Sequence, residues 1–369
     1  CGSQTATESP CGLDIPPEAD KLDASLMLTL PLPGACLMDV ALIAPEAFLH
    51  QDDAPYVKNI RQAGMDVIYP DDPTFTRGHK TEGETIEQLS KCQAILAGGE
   101  HFTETVLAAL PQLRVIARCG VGYDRVDVDA ATRHGVAVTI TPTANHESVA
   151  EHAFSLMFAV AKSVMSSDRS MRTGNWNQTS TLPIRGQTLG ILGLGRIGRS
   201  VAVRANALGM KVLAHDAFPN ESFAQEHGVQ LVDFDTLLAQ SDYLTIHCPL
   251  NDDTQGLFNR ETLGQMKAGS VLVNTARGPL VVEADLIDAL EAGHIYGAGL
   301  DVFEQEPIDP QNKLLQMDQV VSTPHVGSGD WLSRLNMGIE AADCIVKLHR
   351  NEWPEGAVVN TSLRDGWKW

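Results

Sequence analysis

The chain has 369 residues, of which 43% are hydrophobic and 20% are charged. This length suggests two or three domains, and the composition is that of a globular protein, which excludes wholesale disorder and a fibrous repeat. With 27 Lys and Arg against 47 Asp and Glu, the formal net charge is −20. Such acidity disfavours nucleic acid and anionic membranes as partners, and no run approaches the roughly 18 apolar residues of a membrane span.

The seven cysteines are odd in number, and no pair has C-x-x-C spacing. We therefore expect reduced thiols in a cytoplasmic protein, without a disulfide framework or a zinc site. The chain opens with Cys1-Gly2-Ser3 rather than Met. This start is typical either of a processed lipoprotein or of a truncated or renumbered cytoplasmic protein, and we favour the second. Residues 1–36, rich in Pro, Ser, Thr and acids, are predicted to be an N-terminal extension on the surface.

From about residue 37, short apolar runs alternate with helical patterns. The predicted strands are 40–43, 65–69, 94–97, 115–117 and 136–140. The predicted helices between them are 54–64, 84–91, 103–110 and 127–134. Strands that alternate with helices indicate βαβ units and a parallel sheet, so we predict a first α/β domain over residues 37–143.

One long amphipathic segment follows, from Asn145 to about Arg172, and predicts a helix long enough to bridge two domains. A second series of strands then begins at Thr188. Its seven predicted strands are 189–192, 212–215, 230–232, 243–247, 270–274, 295–300 and 319–322. Seven strands suffice for a doubly wound parallel sheet, which we assign to a second domain over residues 144–325. A final helix, 331–347, is expected to return residues 326–369 to the first domain, so the fold class is α/β with two doubly wound sheets.

The strongest local motif is a G-x-G-x-x-G sequence from Gly193 to Gly198, which follows an apolar strand and opens a helix. Gly193 permits the tight turn, Gly195 lets the backbone approach a pyrophosphate, and Gly198 lets helix and strand pack closely. The helix is expected to turn Val201, Ala205 and Leu208 inward.

A second strand ends at Asp216, 18 residues after Gly198, which completes the context of a Rossmann dinucleotide-binding domain. Asp216 would accept hydrogen bonds from the adenosine ribose and repel a 2′-phosphate. Since residues 217–220 supply no cation, NAD is predicted in preference to NADP.

Three polar residues follow later strands of this series, at the edge where open α/β sheets bind ligands. Arg277 can bind a carboxylate through two parallel N–H groups, and His325 can protonate a carbonyl that becomes an alcohol. Glu306 favours the imidazolium form of a neighbouring histidine and fixes its ring. Taken singly, Arg277 is typical of a solvated charge, His325 of a buried core histidine and Glu306 of a loop acid. Together the three residues predict a catalytic set.

On these residues the chain resembles the D-2-hydroxyacid dehydrogenases, the group that includes phosphoglycerate dehydrogenase, glyoxylate/hydroxypyruvate reductase and D-lactate dehydrogenase. The resemblance covers about residues 37–365 and depends on the segments 189–198, 274–278, 301–307 and 323–327. It implies a Rossmann NAD-binding domain inserted into a discontinuous substrate domain, with the site in the cleft between them. It also implies NAD-dependent interconversion of a small 2-keto acid and its D-2-hydroxy acid, and homodimers formed through the NAD domains.

The resemblance also assigns individual residues. A second glycine-rich loop, which contains Gly120, Val121 and Gly122, would present backbone N–H groups to the substrate carboxylate, and Asp301 would meet the nicotinamide carboxamide. The implied substrate contacts are Gly120, Val121, Gly122, Arg277 and His325. The implied cofactor contacts are Gly193, Gly195, Arg196, Ile197, Gly198, Asp216, His247, Cys248, Pro249, Thr275, Ala276, Asp301, His325 and Gly327. Cys119 and Cys248 are interpreted as packing residues near the ligands rather than nucleophiles.

Two further interpretations concern a metal and the substrate. His146 and His152 lie six apart on a predicted helix and do not share a face, so no metal site is predicted. Arg118 matches a phosphate-pocket arginine of phosphoglycerate dehydrogenases, but glycines and Glu100 stand where those enzymes place another arginine. A small unphosphorylated 2-keto acid is therefore favoured. The alternatives are an NAD-sensing, corepressor-like interaction protein and a formate dehydrogenase-like enzyme, although Glu306 stands where the latter has glutamine.

Overall fold

The computed structural model describes residues 38–369, so the predicted extension over residues 1–36 lies outside the described residues. The first sheet is parallel throughout, with the strand order β2-β1-β3-β4-β5. Its strands are β1 (Val40–Ile43), β2 (Asp66–Ile68), β3 (Ala94–Ala97), β4 (Val115–Arg118) and β5 (Ala137–Thr139). The helices between them are α1 (Pro55–Gln62), α2 (Glu82–Leu89), α3 (Glu104–Ala108) and α4 (Val128–Arg133). We call this layer, with the C-terminal helix that packs on it, the first lobe.

Side chains at the helix starts explain where these helices begin. Thr81, Thr103 and Asp127 each accept a hydrogen bond from the backbone N–H three residues further on. At α2 the side chain of Glu84 also reaches back to the N–H of Thr81, which completes a capping box. The helix therefore starts at Glu82, two residues before its predicted start.

The bridging segment is two helices, not the single helix predicted. α5 (His146–Ala161) ends before Ser163, whose φ of +48° is left-handed, and α6 (Val164–Arg172) follows. A later, irregular segment of the chain packs against the end of α5. Leu182 in this segment donates its N–H to the carbonyl of Ala161, and its carbonyl accepts from Nζ of Lys162. The side chains of α5 form part of a core, whereas α6 has no buried residue.

The second sheet has seven parallel strands in the order β12-β11-β10-β9-β6-β7-β8. Its strands are β6 (Thr188–Leu192), β7 (Lys211–His215), β8 (Gln230–Leu231), β9 (Tyr243–Ile246), β10 (Ser270–Asn274), β11 (Ile295–Leu300) and β12 (Val320–Ser322). The helices between them are α7 (Arg196–Ala207), α8 (Glu221–Glu226), α9 (Phe234–Gln240), α10 (Arg260–Gln265) and α11 (Glu283–Glu291). With α5 and α6 they form the second lobe. All seven strands were predicted, and the α/β fold class with two doubly wound parallel sheets is confirmed.

The order of the second sheet reverses at β6, which pairs with β7 on one side and β9 on the other. The chain segments that leave β6 and β9 therefore diverge, and the crevice between them is where open α/β sheets bind their ligands. α7 starts from this crevice and buries Val201 and Ala205. Leu208 was expected to face inward as well, but it lies just past the end of α7 and is 37% exposed.

α12 (Trp331–His349) packs against α1, β3 and β4 of the first lobe. The tail beyond it lies beside β5, where Val359 donates its N–H to the carbonyl of Val138 and Asn360 accepts from the N–H of Val138. Chain segments thus connect the lobes twice, before α5 and before α12.

Both sheets bury apolar side chains on both faces, as parallel sheets do. In β4, Val115 and Ala117 enter one core cluster and Ile116 enters the other. In the second lobe, Ile191 and Leu192 of β6 also point into different clusters. Between residues 38 and 369, no helix combines the length and apolarity that a membrane crossing requires.

Candidate active site

The glycine-rich turn between β6 and α7 is shaped by close backbone contacts. A Cβ at Gly193, where φ is +94°, would lie 2.7 Å from the backbone of His247 and Cys248. A Cβ at Gly198 would lie 2.0 Å from the carbonyl oxygen of Gly193. By contrast, nothing lies within 4 Å of a Cβ built at Gly195. The turn is thus closed on its protein side and open above Gly195.

The start of α7 offers unpaired backbone donors to this open space. Gly195 is the N-cap and supplies no side-chain hydrogen bond to the first turn, which begins with Arg196 and Ile197. The free N–H groups and the helix dipole favour an anion at this place. Asp216, just after β7, accepts from the N–H of Leu194 at 2.6 Å and from the N–H of Phe218 at 2.7 Å. A carboxylate therefore borders the same turn.

The segment after β9 faces the turn through its backbone. Nε2 of His247 lies 2.9 Å from Oγ1 of Thr245, and burial lowers the pKa of His247 to about 3. Burial also raises the pKa of the Cys248 thiol to about 11 and that of the Cys119 thiol well above its usual range. Since a thiolate is the nucleophilic form, these shifts support the packing interpretation of both cysteines. Pro249, next in the chain, is exposed.

Asn274, at the end of β10, shapes the loop that carries the predicted arginine. Its Oδ1 accepts from the N–H of Ala276 and its Nδ2 donates to the carbonyl of Arg277. The hydroxyl of Thr275 is buried without a hydrogen-bond partner among the described residues. This unpaired donor faces the interior at the same edge of the sheet as the glycine-rich turn.

Arg277 reaches from the second lobe to the glycine-rich loop 120–122 of the first lobe, the candidate substrate loop. Its Nε donates to Oδ1 of Asp124 at 2.9 Å, and its Nη1 donates to the carbonyl of Ala276 at 2.7 Å. Its Nη2 lies so close to Gly122 that a Cβ there would be only 1.5 Å away. The third guanidinium nitrogen is therefore aimed at the glycine-rich loop 120–122.

That loop supplies fewer free donors than expected. Gly120 already donates its N–H to Oγ1 of Thr141 at 2.8 Å, with φ of +141°. Within residues 38–369, the N–H groups of Val121 and Gly122 make no such bond. Val121 and Gly122 thus remain the loop's candidate donors to a substrate carboxylate.

The predicted pair of His325 and Glu306 is in direct contact. Nδ1 of His325 lies 2.8 Å from Oε2 of Glu306, which leaves Nε2 of the ring for a ligand. Burial raises the pKa of Glu306, but the hydrogen bond and charge of His325, the N–H of Phe303 and the charge of Arg125 outweigh it and lower the pKa overall. Glu306 is therefore ionised at neutral pH.

Asp301 anchors the loop that carries His325. Its Oδ1 accepts from the hydroxyl of Thr323 at 2.6 Å and from the N–H of Val326 at 2.9 Å, and its Oδ2 accepts from the N–H of Gly327 at 2.8 Å. Burial raises the pKa of Asp301, but these hydrogen bonds and His152 lower it overall. Both oxygens are thus already in use within the protein.

Several residues of the site were not identified from the sequence. Asp124 and Arg125 contact the candidate catalytic set across the cleft, and Thr141 holds the substrate loop. His152 places Nε2 at 2.9 Å from Oγ1 of Thr323 and 3.3 Å from Oδ1 of Asp301. The only signal in the sequence was that Asp124 and Arg125 directly follow the glycine-rich loop.

The polar side chains of the helix considered for a metal already have protein partners. Glu147 pairs with Ser200 and Arg204, Glu151 also pairs with Arg204, and His152 faces the Asp301 loop. In the part of the chain that the structure describes, no three His, Cys, Asp or Glu side chains group as metal ligands.

Comparisons with known proteins agree with this arrangement. Residues 154–327 match the family model described as "D-isomer specific 2-hydroxyacid dehydrogenase, NAD binding domain". The chain is 43% identical to D-3-phosphoglycerate dehydrogenase of Archaeoglobus fulgidus over 72% of this chain and 51% of that protein. It is 40% identical to glyoxylate reductase of Korarchaeum cryptofilum over 74% of this chain and 84% of that protein. The chain thus spans about half the length of the phosphoglycerate dehydrogenase.

A solved structure is similar over nearly the whole described part. D-lactate dehydrogenase from Aquifex aeolicus, complexed with NAD and lactic acid, superposes with a TM-score of 0.75 at 29% identity. The match covers 87% of this chain and 99% of that chain. The predicted family resemblance and the predicted NAD-binding domain are confirmed.

Proposed function

Because the chain belongs to the D-isomer-specific 2-hydroxyacid dehydrogenase family, we propose that it interconverts a small 2-keto acid and the corresponding D-2-hydroxy acid. The observation that carries the proposal is the contact of Glu306 with His325 at the edge of the second sheet that also carries Arg277 and the glycine-rich turn. An imidazole in contact with a carboxylate, and a guanidinium group, beside a dinucleotide site are suited to reduction of a carbonyl next to a carboxylate.

The cleft fits a dinucleotide cofactor. The turn that Gly193 and Gly198 close leaves space above Gly195, and the uncapped start of α7 offers N–H donors to a pyrophosphate. Asp216 at the rim favours NADH over NADPH, since a carboxylate accepts from ribose hydroxyls and repels a 2′-phosphate. When bound, NADH supplies the hydride for the carbonyl carbon. The proposed contacts are Gly193, Gly195, Arg196, Ile197, Gly198, Asp216, His247, Cys248, Pro249, Thr275, Ala276, Asp301, His325 and Gly327.

Side chains of the second lobe and backbone N–H groups of the first lobe hold the substrate, and a side chain of the second lobe protonates it. Nη2 of Arg277 and the N–H groups of Val121 and Gly122 bind its carboxylate. His325 donates a proton from Nε2 to the carbonyl oxygen in reduction and accepts it in oxidation. Glu306, bonded to Nδ1, fixes the ring and stabilises its protonated form. Glu306 is therefore a positioning residue, while Arg277 and His325 touch the substrate.

The charges of the first lobe favour an unphosphorylated substrate. Glu100 is only 2% exposed, accepts from the N–H of Gly98 at 2.6 Å and exerts the strongest attraction of any acidic group on the charge of Arg118. Arg118 also keeps one buried Nη1 without a partner among the described residues. Burial raises the pKa of Glu100, and the charge of Arg118 acts in the opposite direction. In its ionised form Glu100 offsets the charge with which Arg118 would bind a phosphate, so we expect a small 2-keto acid to be preferred.

We also propose the domain division and the assembly. Residues 37–143 and 326–369 form the substrate domain, and residues 144–325 form the NAD-binding domain. A homodimer through the NAD domains is supported by an apolar groove between α5 and α7. The groove is lined by Glu151, Phe154, Ser155, Phe158, Arg204, Ala207 and Leu208. Light scattering on the purified protein should give twice the mass of the chain, and Leu208→Glu should reduce it to one.

The test is a screen of keto acids with NADH oxidation followed by absorbance. Glyoxylate, hydroxypyruvate and pyruvate are compared with 3-phosphohydroxypyruvate, and formate is tested with NAD in the oxidative direction. We expect turnover of an unphosphorylated keto acid at ordinary enzyme rates of at least about 1 per second. Binding of NADH without turnover of any keto acid would instead favour an NAD-sensing interaction protein, and preference for the phosphorylated acid would refute the substrate class.

A further inference from the structure

Two consecutive residues of opposite charge follow the substrate loop, and each meets a different member of the catalytic set. Asp124 accepts a hydrogen bond from Arg277 at 2.9 Å. Nη2 of Arg125 lies 4.0 Å from Oε2 of Glu306, which is an ion-pair contact too long for a hydrogen bond. Both contacts cross from the first lobe to the second. The contact of Arg125 has no part in the function proposed so far.

Backbone contacts hold the guanidinium of Arg125 in place. Its Nη1 donates to the carbonyl of Gly99 at 2.7 Å, and 26% of its side chain is exposed. The turn at Gly78, where φ is +74°, lies against the same nitrogen, because a Cβ there would be 2.2 Å from Nη1. A Cβ at Gly99 would be 3.1 Å from it. Because Gly78 and Gly99 have no side chains, the guanidinium can approach the backbone closely, while Nη2 faces Glu306 across the cleft.

We propose that Arg125 is a positioning residue of the active site, which holds the Glu306 carboxylate from the opposite lobe and completes the Glu306–His325 pair when the lobes are closed. This inference rests on the proposed function. The same oxygen of Glu306 faces Nδ1 of His325 at 2.8 Å and Nη2 of Arg125 at 4.0 Å. One carboxylate oxygen therefore faces both the imidazole of His325 and the guanidinium of Arg125.

This geometry gives Arg125 an effect opposite to that of Glu306. The carboxylate of Glu306 favours the protonated ring of His325, whereas the positive charge of Arg125 opposes it. Arg125 therefore eases transfer of the proton from His325 to the substrate oxygen, while its attraction keeps Glu306 ionised and oriented. The other titratable and charged groups around this cleft are Arg277, Asp301 and His152 on the second lobe and His79, Glu100, His101, Arg118 and Asp124 on the first.

The first experiment measures kcat/KM for keto-acid reduction against pH in Arg125→Gln. Glutamine removes the charge but keeps a donor for the carbonyl of Gly99. We expect the alkaline limb of the pH profile to move to higher pH by roughly 0.4 to 1.7 units, from the interaction of two charges within about 7 Å at effective dielectric constants of 20 to 80. Arg125→Lys, which keeps the charge, should restore the wild-type limb.

A matched control is Arg133→Gln, on the exposed end of α4, where the arginine pairs with Glu104 away from the cleft. This control substitution should leave the alkaline limb of the pH profile unchanged. The NADH dissociation constant and the unfolding temperature of each variant establish that it is folded. An Arg125→Gln protein that folds and binds NADH, yet keeps the wild-type limb or moves it to lower pH, overturns the proposal.

The second experiment needs no turnover. Diethyl pyrocarbonate modifies the neutral imidazole ring, so its extent of reaction with His325, measured by mass spectrometry across pH, reports protonation directly. The labelling curve of Arg125→Gln should move to higher pH, and that of Glu306→Gln to lower pH. If the wild-type chain reduces no keto acid, the proposed function fails while the labelling still decides the role of Arg125. If the labelling curves of Arg125→Gln and wild type coincide, the inference about Arg125 fails alone.

Discussion

Gly122 lies directly against the guanidinium of Arg277, and a side chain at this position would test the arginine's role. A Cβ at this position would lie 1.5 Å from Nη2 of Arg277 and 2.8 Å from its Cζ. Non-bonded carbon and nitrogen atoms need about 3.5 Å. In Gly122→Ala the guanidinium must therefore retreat by about 2 Å, and its bonds to Asp124 and to the carbonyl of Ala276 cannot both persist.

The size of the effect follows from that displacement. A misplacement of about 1 Å can cost roughly 100-fold in rate. We expect kcat/KM of Gly122→Ala to fall at least about 100-fold, which corresponds to about 2.7 kcal/mol of transition-state stabilisation. Affinity for NADH, measured by fluorescence titration, should be unchanged, because the glycine-rich turn from Gly193 to Gly198 lies on the other lobe.

Two comparisons isolate the cause. Gly83→Ala on α2 is the matched control, since a Cβ there meets nothing within 4 Å and activity should stay at the wild-type level. Arg277→Ala alone should cost about 2–4 kcal/mol in kcat/KM. In that background Gly122→Ala should cost less than about threefold more, because both changes act through one guanidinium. If the losses in kcat/KM from the two substitutions multiply instead, Gly122 does not act by positioning the guanidinium of Arg277.

Three further outcomes are expected. Asp216→Ala should narrow the preference for NADH over NADPH in kcat/KM, and a wild-type enzyme that uses both equally would contradict the role of Asp216. Glu306→Gln should move the alkaline limb of the pH profile for reduction, and the acidic limb of that for oxidation, to lower pH. The reason is that the lowered pKa of Glu306 keeps a negative charge 2.8 Å from Nδ1 of His325 at neutral pH. Unchanged profiles in both directions would make Glu306 a structural acid. Gly198→Ala places a Cβ 2.0 Å from the carbonyl oxygen of Gly193. Because overpacking of this size costs about 1–3 kcal/mol, NADH binding measured by fluorescence titration should weaken roughly tenfold to hundredfold. An unchanged dissociation constant would show that the turn adapts.

The strands were predictable because their information is local. Each is a short apolar run bounded by turn residues, and all twelve appear where that pattern predicts them. The break after α5 was not predictable, because apolar residues continue at helical spacing through Ser163. What ends the helix is Leu182, some twenty residues later, which bonds both Ala161 and Lys162. The signal for that end is tertiary and leaves no trace in the helical pattern.

The same distinction applies to the site. The glycine-rich turn was predictable because all its parts are contiguous, from the end of β6 to the start of α7. Arg277, Glu306 and His325 were predictable because each follows a strand of one parallel sheet, and such strand ends share an edge. Asp124, Arg125 and Thr141 belong to the other lobe, and nothing in the spacing of residues fixes how two lobes meet. Their contacts became visible only in three dimensions.

Asp301 shows how a residue found from the sequence can have more than one role. It was assigned as a nicotinamide contact, and that role remains a prediction. In the structure its carboxylate binds Thr323, Val326 and Gly327, and its carbonyl accepts from the N–H of His325 at 2.8 Å. His325 has φ of +51°, a left-handed conformation that costs a non-glycine residue about 1–2 kcal/mol. The hydrogen bonds of Asp301 on both sides of His325 stabilise this strained backbone, so the position of the proposed proton donor depends on the residue that is also proposed to face the cofactor.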